Sequence, residues 1–333
     1  MSAQLRRFEF GNHESFRDRQ ELGLVPESPA TATAVPVAVL HGPTAAGKSA
    51  ALRALDFLVE RIRCTEMQWS HRPAATTPFA FTDRARNAPS GYLVDLDIDG
   101  LRHVYHLRLA GRAVVEESLH TGSAGSEALI FARVGDQIEL GAAVAAATDR
   151  RALRKTRTRA DALLLRVAAR RRIPAAESVA EWLADAVHVV DLDDLLLPEP
   201  LEYLDLRADD PAGAELLAVL LRAADLGVDG ITVPRDRGPD VLHLLHGPVP
   251  VPITEESSGT RAWLGIAWVL VTLLAEGGVL LLDWSQRPSA SAADRPPDRR
   301  LRIRDHQSPP GAAHPGRPGH LPAHTPGAAP TQA

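Results

Sequence analysis

The residues with the clearest chemical content are Gly42, Pro43, Thr44, Ala45, Ala46, Gly47, Lys48 and Ser49. Two glycines separated by four residues and followed directly by a lysine and a hydroxyl match the phosphate-binding P-loop pattern. Glycines let the backbone turn its amides inward around a phosphate, and a helix that starts there adds partial positive charge. Lys48 can then neutralise β and γ oxygens, and the Ser49 hydroxyl can hold Mg²⁺. Without a strand before it and a helix after it, the same run is only a glycine-rich turn.

A second constellation is Glu255 to Arg261, where Ser257, Ser258, Gly259 and Thr260 stand directly before the apolar stretch that begins at Ala262. Hydroxyls and free amides at a helix start make either an anion site or a plain N-cap. About a helix length later, the apolar run Val279 to Leu282 ends in Asp283. A strand-end carboxylate of this kind suits the Mg²⁺ shell of a P-loop site.

The elements that must position these groups are legible in part. Val35 to Leu40 is a continuous apolar, β-branched run, the pattern of a strand buried on both faces, and Ser49 to Arg63 has helical apolar spacing at Leu52, Leu55, Leu58, Val59 and Ile62. Leu5 to Val25 reads as two short strands around Gly11-Asn12-His13. Tyr92, Val94, Leu96 and Ile98 alternate up to Asp99-Gly100, a hairpin turn, and Leu101 to Leu109 alternates on the return. Further strands are expected at Arg112 to Leu119, Leu129 to Val134 and Gln137 to Leu140. From Ala143 to about Leu226 the pattern is helical, with breaks at Pro174, Pro198, Pro200 and Pro211. Trp284 to Ala333 is rich in Pro, Gly, Ala, Arg and His without periodicity, and is expected to be disordered.

These pieces in this order resemble the ABC-type AAA ATPases of bacteria, ATP-binding proteins related to SMC and DNA-repair ATPase heads, some of them linked to abortive infection and anti-phage defence. The resemblance runs from Phe8 to Asp283 and is carried by Phe8 to Asp18, the P-loop, Glu256 to Arg261, which is similar to the family's signature, and Val279 to Asp283. It implies an α/β P-loop NTPase fold, an ABC-ATPase-like head with an antiparallel β-subdomain and a helical insertion lobe. The head covers 1–283, divided into 1–142 (P-loop and β lobe), 143–250 (helical lobe) and 251–283 (signature helix and Walker B strand). The implied ligands are ATP and Mg²⁺, with Ser257, Ser258, Gly259 and Thr260 reaching the nucleotide of a second head in an ATP-dependent homodimer. Lys48 and Asp283 take the catalytic roles, Ser49 and Asp283 the metal. Asn12 and Ser15 are secondary candidates for nucleotide contact.

The family follows the strand Asp with a Glu that orients water, and this chain has Trp284 there. An indole cannot accept a proton, so hydrolysis is expected to be impaired. Codon choices exist for Ser289 to Pro297 that, read one nucleotide later, spell a leucine-rich sequence similar to the family's continuation; Ala323 to Pro326 can likewise yield a Thr-His pair. A frameshifted or truncated gene is therefore expected, with a central sheet left incomplete at its C-terminal side.

Composition bounds the remaining possibilities. The chain has 333 residues, 45% hydrophobic and 24% charged, with formal net charge −5, so it carries no global footprint for nucleic acid or membrane. Its single cysteine, Cys64, excludes an internal disulfide framework and fits a reducing cytoplasm; it reads as a small buried residue. Met1 to Phe10 lacks a signal-peptide core, and the apolar stretch Ala262 to Leu282, interrupted by Glu276-Gly277-Gly278, reads as a buried helix and strand rather than a membrane span. Arg150, Arg151, Arg154, Lys155, Arg157, Arg159 and Arg170 to Arg172 form basic runs that suit either DNA phosphates or a solvated face. His243 and His246 lack acidic or cysteine partners at metal-site spacing and are expected to be ordinary histidines. The alternative function is a non-catalytic, nucleotide-dependent interaction module in which ATP closes a dimer to present the Ala143 to Leu226 helical lobe; a small-molecule P-loop kinase would need an acceptor-binding lid, and the antiparallel meander and signature argue against it. DNA, an effector or a nuclease are candidate partners.

Overall fold

Apolar alternation builds the largest element of the structure. In β3 (Ser90–Ile98) Tyr92, Val94, Leu96 and Ile98 are buried on one face, and in β4 (Leu101–Ala110) His103, Tyr105, Leu107 and Leu109 are buried likewise. Asp99 and Gly100 join them with φ of 51° and 80°, the left-handed pair that a two-residue hairpin turn requires. With β1 (Ala3–Gly11), β2 (Gln20–Gly23), β5 (Ala113–Ser123), β6 (Ser126–Val134) and β7 (Gln137–Leu140), they form a seven-stranded sheet in the order β2-β1-β3-β4-β5-β6-β7. Every pairing in it is antiparallel.

The computed structural model describes residues 3–25, 34–64, 74–123, 126–142, 144, 159–191, 211–232 and 242–283. The chain divides into two units, Met1–Ser289 and Ala290–Ala333. Trp284, the expected disordered tail, Pro198, Pro200 and the basic residues 150–157 lie outside the described residues.

Helix α1 (Lys48–Arg63) packs on this sheet through Leu55, Leu58, Val59 and Ile62, each side chain adding about 1.5–3 kcal/mol on burial. The short α2 (Asp83–Arg86) is capped by Thr82, whose side chain accepts from the Ala85 amide. Helices α3 (Leu164–Arg170) and α4 (Pro174–Asp185) complete the same core with Leu164, Leu165, Val179 and Leu183. The start of α3 has no side-chain cap of its own. The fully buried Glu117 of β5 supplies one, accepting from the amides of Leu164 and Leu165 at 2.7 Å each, and the Tyr105 hydroxyl donates to it at 3.1 Å. Burial pushes the Glu117 carboxyl upward in pKa while these donors oppose it.

The described residues of 143–250, expected to be helical, hold strands as well as helices. The segment includes β8 (Val187–Asp191), which pairs in parallel with β12 (Val279–Asp283) in a two-stranded sheet, register Asp191 to Asp283. It also includes β9 (Gly230–Thr232) and β10 (His243–His246), which with β11 (Val249–Pro252) form a three-stranded antiparallel sheet. Pro174 and Pro211 begin helices α4 and α5 (Pro211–Ala223), the first-turn position where a missing N–H costs nothing.

Helix α6 (Ser258–Glu276) starts four residues earlier than the apolar stretch suggested and ends before Gly277, at φ 81°. By length and composition, Ser258–Ala275 could cross a membrane. In the structure its Leu264 and Ala267 pack with α5 and β10, and its Ile266 and Val269 with Val190 of β8.

One expectation fails outright. Val35 to Leu40 forms no strand, and Val37 and Val39 are each 76% exposed. A strand buried on both faces needs paired neighbours and a covering layer on each side. Among the described residues the only parallel pair is β8 with β12, so the apolar run has neither. Its start is held by the Val35 amide, which donates to the Leu24 carbonyl at 2.7 Å. Cys64 also departs from expectation: it is the half-buried C-cap of α1, its thiol raised in pKa by partial burial.

Candidate phosphate and cation site

The loop Gly42 to Ala46 is exposed and enters α1 through two left-handed residues, Ala45 at φ 65° and Gly47 at φ 93°. Gly47 is required twice over, because a Cβ there would also stand 2.6 Å from Cζ of Phe16. No acidic residue occupies the first turn of α1 and no side chain caps it, so its amides and dipole face the loop uncompensated. Lys48 curls back over the loop, its Nζ donating to the carbonyls of Gly42 at 3.0 Å and Pro43 at 2.9 Å.

Ser49 Oγ donates to Asp283 Oδ1 at 3.1 Å, joining the first turn of α1 to the end of β12. Two oxygens on adjacent positions of an octahedral Mg²⁺ at 2.0–2.1 Å stand about 3 Å apart, so the hydroxyl and carboxylate fit that ion in chemistry and spacing. Among the described residues no cluster of three or more His, Cys, Asp or Glu side chains could hold a metal by protein ligands alone. A cation here would keep other ligands from water or phosphate.

The turn after β1 braces the loop. Glu14, at φ 46°, accepts from Arg53 Nε of α1 at 2.9 Å, and Ser15 Oγ is 3.3 Å from where a Gly47 Cβ would be. Asn12 is differently employed. Its amide donates to the carbonyls of Ala85 and Ala88 at 2.8 Å and its oxygen accepts from the Phe79 amide at 3.1 Å, so both amide protons are used within 79–88. His13, 2% exposed, has Nδ1 3.0 Å from the Tyr92 hydroxyl, and burial lowers its pKa.

A cavity of about 210 Å³ beside the loop is lined by Phe8, Phe16, Leu40, Lys48, Leu52 and Leu281. A larger one, about 780 Å³, is lined by Glu9, Gly11, Arg19, Arg84, His106 and Arg108, and holds none of the P-loop residues. Size alone favours the second. The smaller one adjoins Ala46, Gly47 and Lys48 of the loop and Leu281 of β12.

The residues Ser257 to Thr260 form the start of α6. Ser257 is its N-cap, accepting from the Thr260 amide at 3.1 Å, with the two hydroxyls 2.9 Å apart. Ser258 and Gly259 are exposed. No hydrogen bond or ion pair joins Ser257–Thr260 to Gly42–Ser49 among the described residues. Of the basic residues, Arg159 pairs with Asp161 and Arg172 with Glu177. Glu256, the first residue of the signature-like run, bonds His246 ten residues away, a pairing that no local spacing marks.

Compared with known proteins, the chain matches no family model and no curated protein.

Proposed function

We propose that this chain is a MgATP-binding protein of the ABC-type AAA ATPase kind, an α/β P-loop head with impaired hydrolysis. The observation that carries the reading is the 3.1 Å bond between Ser49 and Asp283, two residues far apart in sequence that a P-loop site needs side by side. Under this proposal the amides of Gly42 to Ser49 cradle the phosphates, and Lys48 exchanges its two carbonyl partners for phosphate oxygens. Ser49 and Asp283 hold Mg²⁺, which when bound neutralises charge on the β and γ phosphates. Ser258 and Gly259 present exposed amides and a hydroxyl at a helix start, suited to the γ-phosphate held by a second copy. A cytoplasmic, ATP-dependent homodimer belongs to the same proposal.

The second reading, a nucleotide-dependent interaction module without turnover, is favoured by Trp284, which puts an indole where a water-orienting carboxylate would follow Asp283. Calorimetric titration with MgATP, beside phosphate release, tests both. Lys48→Ala is expected to weaken binding about 10- to 100-fold, the scale of one charge-assisted hydrogen bond. Asp283→Asn is expected to abolish the Mg²⁺ dependence. Binding without phosphate release supports the module, and no binding by folded wild-type protein overturns both readings.

A further inference from the structure

The feature that the nucleotide reading does not absorb is an ion pair behind the start of α6. His246, the last residue of β10, has Nε2 2.7 Å from Glu256 Oε1. The Glu256 side chain is only 8% exposed and that of His246 33%. The other ring nitrogen faces Gly227, whose backbone also favours the protonated ring. A neutral imidazole donates through one nitrogen only. Nε2 faces the carboxylate, and the ring is positive when Nδ1 carries a proton as well.

Glu256 directly precedes the N-cap Ser257 and stands two and three positions before the exposed Ser258 and Gly259. Unneutralised, its charge would repel any polyanion brought to those amides. We propose that His246 is a positioning residue for this turn: its charged form holds and neutralises Glu256, and so makes the ATP-dependent pairing of two copies sensitive to pH. The proposal rests on the nucleotide reading above.

The surroundings favour the charged form. The Glu256 hydrogen bond is the chief influence raising the His246 pKa, and Asp229 adds to it. The Asp229 carboxylate also accepts from the Gly247 amide at 2.7 Å, and Arg222 donates to the Asp229 carbonyl rather than to its carboxylate. Strands β9 and β11 carry no titratable side chain; among the described residues, His243 on β10, Glu215 on α5, Asp225 in the turn after it, and Glu255 and Arg261 on either side of the N-cap turn are the other titratable or charged groups near the pair. Because the folded pKa is raised, the stabilising pair is complete below the ordinary histidine range and is lost as pH rises through the raised value.

The test uses the full chain with MgATP, measuring dimer formation by sedimentation at about pH 6 and about pH 9, on either side of the histidine range. Wild-type pairing is expected to weaken about tenfold or more at the higher pH, as two uncompensated carboxylates enter a two-fold interface. Glu256→Gln should pair equally at both values, His246→Gln should pair poorly at both, and the double variant should recover. A pair serving only to hold the fold would shift the thermal unfolding midpoint of each variant together with its pairing, so the recovery counts when read at unchanged midpoint. In parallel, the His246 imidazole resonance, assigned by its loss in His246→Gln, should titrate at lower pH in Glu256→Gln than in wild type.

Pairing that is absent or insensitive to pH in a chain that binds MgATP overturns the proposal. So does a Glu256→Gln variant as pH-sensitive as wild type, or a His246 titration unchanged by it. Absence of MgATP binding in the same samples overturns instead the nucleotide reading, and the role built on it, whatever the resonance shows.

Discussion

Lys48 and Gly47 show how differently neighbouring residues constrain a loop. Lys48 spends its ammonium on two backbone carbonyls, bonds that phosphate oxygens can replace with stronger, charge-assisted ones. Gly47 has no such freedom, because its φ of 93° and the Phe16 ring both exclude a side chain. Gly47→Ala is expected to lower stability by about 1–3 kcal/mol, from left-handed strain and displacement of Phe16, and to weaken MgATP binding with it. Thermal unfolding of the variant beside wild type checks this, and an unchanged midpoint would show that the turn relaxes freely. Most residues of the candidate site were legible because a P-loop is a contiguous motif. The bracing role of Asn12 was not legible, because its amide is engaged by residues 79–88, a contact with no local signature.

Among the elements, the β3–β4 hairpin and α1 follow from local rules: alternation with Asp-Gly at the turn in one case, a 3.6-residue apolar stripe in the other. Strand β8 escaped notice because a short Val-rich run sits among Ala- and Leu-rich helices, and only its pairing with β12 defines it. Val35 to Leu40 is the converse, strand-like in composition but paired with no strand among the described residues. The large sheet also has a pH consequence. Burial lowers the pKa of His13, His103 and His106, so the neutral forms stabilise the fold fully above the ordinary histidine value of about 6.5, and that stability is lost as pH falls through the lowered values. Denaturant midpoints are expected to drop between about pH 7.5 and about pH 5.5. His13→Gln should make that drop smaller, and an unchanged slope would assign the effect elsewhere.

At the scale of the whole molecule, the parallel part is small beside the antiparallel sheet, and an exposed apolar segment leads into the loop. Val37 and Val39 on an unpaired extended backbone invite association with other chains. Replacing both with Thr, which keeps the branched shape, is expected to reduce light scattering on heating while changing unfolding free energy by no more than about 0.5 kcal/mol. MgATP affinity should stay within about twofold, since neither side chain belongs to the loop. Scattering that is unchanged would mean that another surface drives association.

The sequence by itself determined the P-loop pattern, the hairpin, the α1 stripe and the strand ending in Asp283, because each is written in contiguous residues whose spacing matches one backbone period. Tertiary structure decided that Ser49 meets Asp283, that Glu117 caps α3, that β8 joins β12, that His246 holds Glu256, and that Val35 to Leu40 forms no strand. Each of these depends on which distant groups satisfy one another once the chain has closed on itself. Hydrogen-bond and pairing partners of that kind leave no mark in local periodicity.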